Sequence, residues 1–142
     1  QRLGKKFTKH RALNHIKQYY TLSKSWSIIK ETNPDFLIRI RDDASLSASV
    51  NLTDLAKVIN PCKKCIISSD KQTHGGINDK FAIVSNKAIQ TYLTKPLVEY
   101  NRYKNTFNKR IRNPEQFYKY VYRKNGISLL SANININILG HK

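Results

Sequence analysis

Apolar residues recur along most of the chain with the spacing of regular structure. Over residues 11–31, Leu13, Ile16, Tyr20, Trp26 and Ile29 fall mostly three or four apart, with Lys17, Lys24 and Lys30 off that stripe, which predicts one long helix. Asn33-Pro34 ends it, because the residue before a proline avoids helical torsions. Phe36-Leu37-Ile38-Arg39-Ile40 is a near-continuous apolar, β-branched run, which predicts an interior strand of a mixed sheet. It stops at the charged cluster Arg41-Asp42-Asp43. Asn51 or Thr53 can cap a short helix carrying Leu55, Val58 and Ile59, closed by Asn60-Pro61. Cys65-Ile66-Ile67 predicts a second short strand.

The polar stretch from Ser68 to Asn78 holds His74-Gly75-Gly76 and reads as a loop with unusual torsions at its centre. Phe81-Ala82-Ile83-Val84 resumes as a strand, and Ser85 or Asn86 caps a helix through Ala88, Ile89, Tyr92 and Leu93. Pro96 is expected to begin another helix with Leu97, Val98, Tyr100 and Tyr103. Pro114 opens a further one, Glu115 to Lys124, which Gly126 ends. In the tail, Ile134, Ile136 and Ile138 alternate with Asn133, Asn135 and Asn137, the pattern of a half-buried strand. No repeat or linker interrupts this order, so the expected class is α/β: a single layer of mixed sheet with helices packed on it.

With 142 residues, 39% of them hydrophobic, the chain can bury a core and is not a disordered segment. No apolar run approaches the roughly 20 residues of a membrane span. The sequence contains no Met and starts at Gln1, which leads to the expectation of a fragment or processed chain. Cys62 and Cys65 form a single CxxC without a second ligand pair. Two ordinary thiols are favoured over a zinc or redox site, and they lean towards a reducing compartment.

Charge changes the picture more. The 26 Lys+Arg against 9 Asp+Glu leave +17. Residues 1–30 carry eight bases and no acid, and a second cluster includes Arg102, Lys104, Lys109, Arg110 and Arg112. Such a surface attracts polyanions, whether nucleic acid, anionic lipid or an acidic assembly partner. A plain solvated basic surface, inflated by the Asn/Ile/Lys bias of an A+T-rich genome, is the favoured account on charge alone, since no helix-turn-helix, zinc finger or RNP-type motif accompanies the charge.

Two stretches carry candidate chemistry. At the exit of the first predicted strand, Arg39, Arg41 and Asp43 stand where open α/β sheets bind ligands. A carboxylate there can hold a divalent cation that grips a diphosphate, or Arg39 and Asp43 can simply form an ion pair. In His74-Gly75-Gly76-Ile77-Asn78-Asp79, paired glycines allow backbone to approach a ligand, and Asn78 with Asp79 suits sugar hydroxyls; a glycine turn with an Asx motif is the plainer alternative.

In order and spacing, Arg39-Ile40-Arg41-Asp42-Asp43, then Gly75-Gly76-Ile77-Asn78-Asp79-Lys80-Phe81-Ala82, then Pro114-Glu115-Gln116-Phe117 and Lys124-Asn125-Gly126-Ile127, the chain resembles GT-A-type glycosyltransferases and glycosyltransferase-like proteins of large DNA viruses, algae and bacteria. The resemblance covers about residues 15–140. It implies a truncated GT-A-like fold: one domain over residues 1–142, with a basic arm at 1–10 and residues 11–142 as the C-terminal portion, lacking the strand–helix–strand half that supplies most of the nucleotide pocket. It implies transfer of a sugar from a nucleotide-sugar to a carbohydrate or protein acceptor hydroxyl with Mn or Mg. Asp43 would be the metal ligand, Arg39, Arg41, His74, Gly75, Gly76 and Asn78 would contact donor or acceptor, and Asp79, with Glu115 in reserve, would be the base. The alternative is a glycosyltransferase-derived, non-catalytic basic protein of a virus particle or ribonucleoprotein. It is favoured by the excess charge and by the small polar run Ala44-Ser45-Leu46-Ser47-Ala48-Ser49 where the family continues with large apolar residues. Either way the expected location is cytoplasmic or virion-associated.

Overall fold

The computed structural model describes residues 9–103 and 113–139, with backbone alone for residues 9–12 and 103. Its elements are α1 (Lys9–Ile29), β1 (Phe36–Ile40), β2 (Ala44–Leu46), α2 (Leu52–Ile59), β3 (Cys65–Ser69), β4 (Phe81–Ser85), a 3-10 turn (Asn86–Ala88), α3 (Ile89–Tyr103), α4 (Pro114–Lys124), β5 (Ser128–Ala132) and β6 (Ile136–Ile138). The class is mixed α/β. A four-stranded sheet runs β1-β4-β3-β5, antiparallel except for the parallel β3–β5 pair, and β2 with β6 forms a separate two-stranded sheet. The expected single layer of sheet is thereby corrected.

Alternation along the strands builds two cores. One face of the sheet, with Ile66, Ala82 and Val84, packs against Tyr19 and Leu22 of α1, Tyr92 and Leu93 of α3 and Phe117, Tyr118, Val121 and Tyr122 of α4. The other face, with Cys65, Ile67, Phe81 and Ile83, packs against Ile59 of α2 and against Ala44 and Ile136 of the β2–β6 sheet. Strands β3 and β4 are buried at every residue because both of their faces are covered.

Several expectations change. β1 is an edge strand, not an interior one: Leu37 and Phe36 reach the two cores, while Ile38 and Ile40 are 41% and 47% exposed. The buried stripe of α1 is Tyr19, Leu22, Trp26 and Ile29: Trp26 and Ile29 fall where the spacing put them, while Leu13 and Tyr20 point outward and Tyr19 takes the inward place of Tyr20. Pro96 does not start a helix but lies fully buried inside α3. Proline removes an N–H and leaves the carbonyl four residues back without its helical donor. Here that carbonyl is Tyr92's, and the Tyr122 hydroxyl of α4 donates to it at 3.1 Å. Ser85 precedes the 3-10 turn without a side-chain capping bond; it donates instead to the Lys63 carbonyl and accepts from the Cys65 N–H. Strands β2 and β5 carried no expectation. Among the described residues no helix is long and apolar enough to cross a membrane.

Candidate functional site

β1 runs out at Ile40, and the Arg41 N–H continues the ladder one step by donating to the Lys80 carbonyl. A tight turn, Ala44 N–H to Arg41 C=O, then folds Asp43 back over Arg41. The Arg41 fork grips Asp43 through Nε–Oδ1 at 2.6 Å and Nη2–Oδ2 at 2.5 Å, and its Nη1 reaches Asp79 Oδ2 at 2.8 Å. Asp79 is buried, and its other oxygen accepts from Lys80 Nζ at 3.0 Å. The chelating guanidinium holds the Asp43 carboxyl below its ordinary range, and the two aspartates together stabilise the Arg41 cation.

Asp43 thus pairs with Arg41, not with Arg39. Arg39 turns inward on the helix-side face, where Nη1 donates to the Tyr92 hydroxyl at 3.2 Å beside the stacked rings of Tyr92, Tyr122 and Tyr118. All nine acidic residues of the chain lie among the described residues, and none is ion-paired with Arg39.

Between this strand end and α1 lies a cleft of about 830 Å³. Arg39, Arg41, Asp42, Asp43 and Asp79 line one wall; Asn14, His15, Lys17, Gln18 and Thr21 line the other. Cationic forks, carboxylates and amides facing one another across such a volume suit a polar, small-molecule-sized ligand. The α1 wall was missed in the sequence because Asn14, Gln18 and Thr21 repeat at helical spacing and read as an ordinary solvent face.

The glycine loop has the plainer of its two expected forms, a turn closed by an Asx motif. A Cβ on Gly76 would lie 2.0 Å from the carbonyl carbon and oxygen of Glu115, so the close backbone approach that glycine permits is made to α4. Ile77 N–H donates to the Glu115 carbonyl, while Asn113 and Gln116 side chains donate to the His74 carbonyl. Asn78 is buried, with its amide nitrogen on the Lys71 carbonyl and its oxygen on the Lys80 and Phe81 N–H groups, which makes it the Asx clamp of the loop. His74, Gly75, Gly76 and Asn78 do not line the cleft. Glu115 sits at the first turn of α4 behind them; burial first, and then the Asp79 charge, push its carboxyl up.

The donor set does not fit a resident divalent cation. Both Asp43 oxygens are taken by Arg41, and among the described residues no three His, Cys, Asp or Glu gather as ligands. Cys65 is buried, its thiol pushed up to about 12 mainly by burial, and it donates to the Cys62 carbonyl, as expected of ordinary thiols. Of the polyanion candidates, Arg102 is exposed beside Glu99, and Lys104, Lys109, Arg110 and Arg112 lie outside the described residues. No family model, no curated protein and no solved structure matches the chain.

Proposed function

We propose that this chain is a glycosyltransferase, or the C-terminal portion of one, that binds a nucleotide-sugar in the cleft between α1 and the end of β1. The observation that carries this is the convergence of Arg39, Arg41, Asp43 and Asp79 on one cleft of about 830 Å³ opposite amide and hydroxyl side chains. Arg39 and Arg41 would hold the diphosphate, a role suited to planar forks. The amides of α1 would meet sugar hydroxyls. In an inverting transfer the acceptor oxygen bonds the anomeric carbon as the bond to phosphate breaks, and a carboxylate accepts the acceptor's proton. Asp79 is the carboxylate in place: its two hydrogen bonds leave about half of a carboxylate's acceptor capacity.

Closure of Arg41 on both aspartates favours a second reading, a non-catalytic basic protein that keeps the cluster for stability. Calorimetric titration with a panel of nucleotide-sugars, with Mn²⁺ and with chelator, separates the two. The transferase requires binding that Arg41→Met abolishes. Silence across the panel, together with polyanion binding that falls steeply with salt, would establish the second reading. Asp43→Ala asks about the metal: binding lost only in Mn²⁺ would restore the cation, whereas binding kept or tightened would assign the diphosphate to the freed Arg41.

A further inference from the structure

The outer side of β1 is unpaired among the described residues. Asn86 N–H to Asp35 C=O and Arg41 N–H to Lys80 C=O bracket the β1–β4 ladder. By antiparallel alternation the odd-numbered residues between them bond β4, and Phe36, Ile38 and Ile40 aim their N–H and C=O groups at the open side. Those residues also carry the exposed isoleucines, Ile38 and Ile40. Soluble proteins ordinarily blunt such an edge with lysine, proline or a bulge. Over Phe36–Ile40 this edge has no lysine, proline or bulge; its one such device is the inward-turned charge of Arg39. Alongside the same edge runs the cleft, roofed by α1, into which Arg39 faces without a carboxylate partner.

We infer that the open edge of β1 receives an extended acidic segment of a partner protein by strand addition. A strand laid about 4.8 Å from β1 would satisfy the three outward residues. Its side chains would alternate: apolar ones over Ile38 and Ile40 on the α2 side, acidic ones beside Arg39 and Lys17 on the α1 side. The chain's net charge of +17 favours an acidic partner and opposes a second copy, and beside the edge Arg39 and Lys17 supply the cations while Arg41 takes up Asp43 and Asp79. Antiparallel self-pairing through Ile38 would also bring two Arg39 residues onto one face as diagonal neighbours, their backbones about 8 Å apart. The inference shares Arg39 with the cleft proposed for the nucleotide-sugar, but the outward N–H and C=O groups of Phe36, Ile38 and Ile40 are ones a nucleotide-sugar does not need, so their protection tests the strand separately.

The test is residue-resolved amide exchange on the full chain, with a short blocked peptide of alternating valine and glutamate as probe and its valine–lysine counterpart as control. The amides of Phe36, Ile38 and Ile40 should exchange fast in the free chain and slow about tenfold or more with the glutamate peptide alone. Ile38→Pro removes one outward donor, leaves the β4 bonds intact and should abolish that protection. Should that variant not fold, Arg39→Gln should weaken glutamate-peptide binding about tenfold. Slow exchange in the free chain, protection that grows with protein concentration without peptide, or equal protection by the lysine peptide would each overturn the proposal.

Discussion

The Tyr122 hydroxyl donates to the carbonyl of Tyr92 at 3.1 Å, replacing from a neighbouring helix the bond that Pro96 withholds within α3. Both tyrosines are buried, so the carbonyl has no recourse to water. Tyr122→Phe should therefore cost about 1–3 kcal/mol, the penalty of an orphaned buried acceptor. In a Pro96→Ala background the helix supplies its own donor, and the same substitution should cost under about 1 kcal/mol. Urea unfolding of the four proteins of this cycle checks the coupling. Equal costs in both backgrounds would show that the hydroxyl does not mend the helix.

Gly76 and Gly75 are neighbours with different reasons for being glycine. A Cβ at Gly76 meets Glu115 backbone at 2.0 Å, which no rotamer change relieves, whereas at Gly75 it meets only the Gln116 amide nitrogen at 3.0 Å. Gly75→Ala should cost about 1–2 kcal/mol through its φ of +82°. Gly76→Ala should cost more than about 3 kcal/mol and loosen α4 from the loop. Denaturation midpoints give the ranking, and a reversed order would contradict the joint.

Asp43 and Glu115 should bend the stability profile in opposite directions. Arg41 holds the Asp43 pKa below its ordinary 3.8, so its contribution is complete above 3.8 and is lost as pH falls through the lower folded value. The contribution is modest, because the Asp43 side chain is 42% exposed. Burial raises Glu115 above its ordinary 4.5, so its charge penalises the fold at neutral pH and the penalty is relieved as pH drops through the folded value towards 4.5. Glu115→Gln should stabilise the protein at neutral pH and remove the slope above 4.5. Asp43→Asn should remove part of the slope below 3.8. Urea midpoints measured across acid and neutral pH check both signs.

Cys65, with its thiol near 12 and buried, should resist alkylation at about pH 8 in the native state and react only in denaturant. Mass spectrometry of alkylated native protein should show at most one adduct, on Cys62. A native double adduct would mean that the β3 end opens readily.

Where local chemistry decides an element, the sequence was enough. Phe36–Ile40 reads as a strand, α2 as a short helix capped by Asn51 or Thr53, of which Asn51 is the cap, and α4 as a helix opened by Pro114 and stopped before the positive-φ Gly126. Where partners decide, it was not. Whether an apolar run is an inner or an edge strand depends on what lies beside it, which the residues of β1 do not encode. Ser128–Ala132 and Ala44–Leu46 hold too few apolar residues to announce strands and become so by pairing with β3 and β6. Pro96 broke a helix in sequence because the Tyr122 hydroxyl that mends it comes from another helix. At the cleft, Arg39, Arg41, Asp43 and Asp79 were legible as chemistry, but their pairing was not. Which arginine chelates Asp43 is set by a turn, and Gly76 and Asn78 serve the loop because α4 docks there.

The β2–β6 pair joins Ser45 to Asn137, more than ninety positions apart in the chain. Ala44 and Ile136 close the core beneath that pair, so half of the apolar interior has no lid until residues 136–138 are available. The helix-side core likewise waits for Phe117, Tyr118, Val121, Tyr122 and Ile127, so a chain cut short of residue 117 would leave both faces of β3 and β4 incompletely covered, with apolar surface open to aggregation.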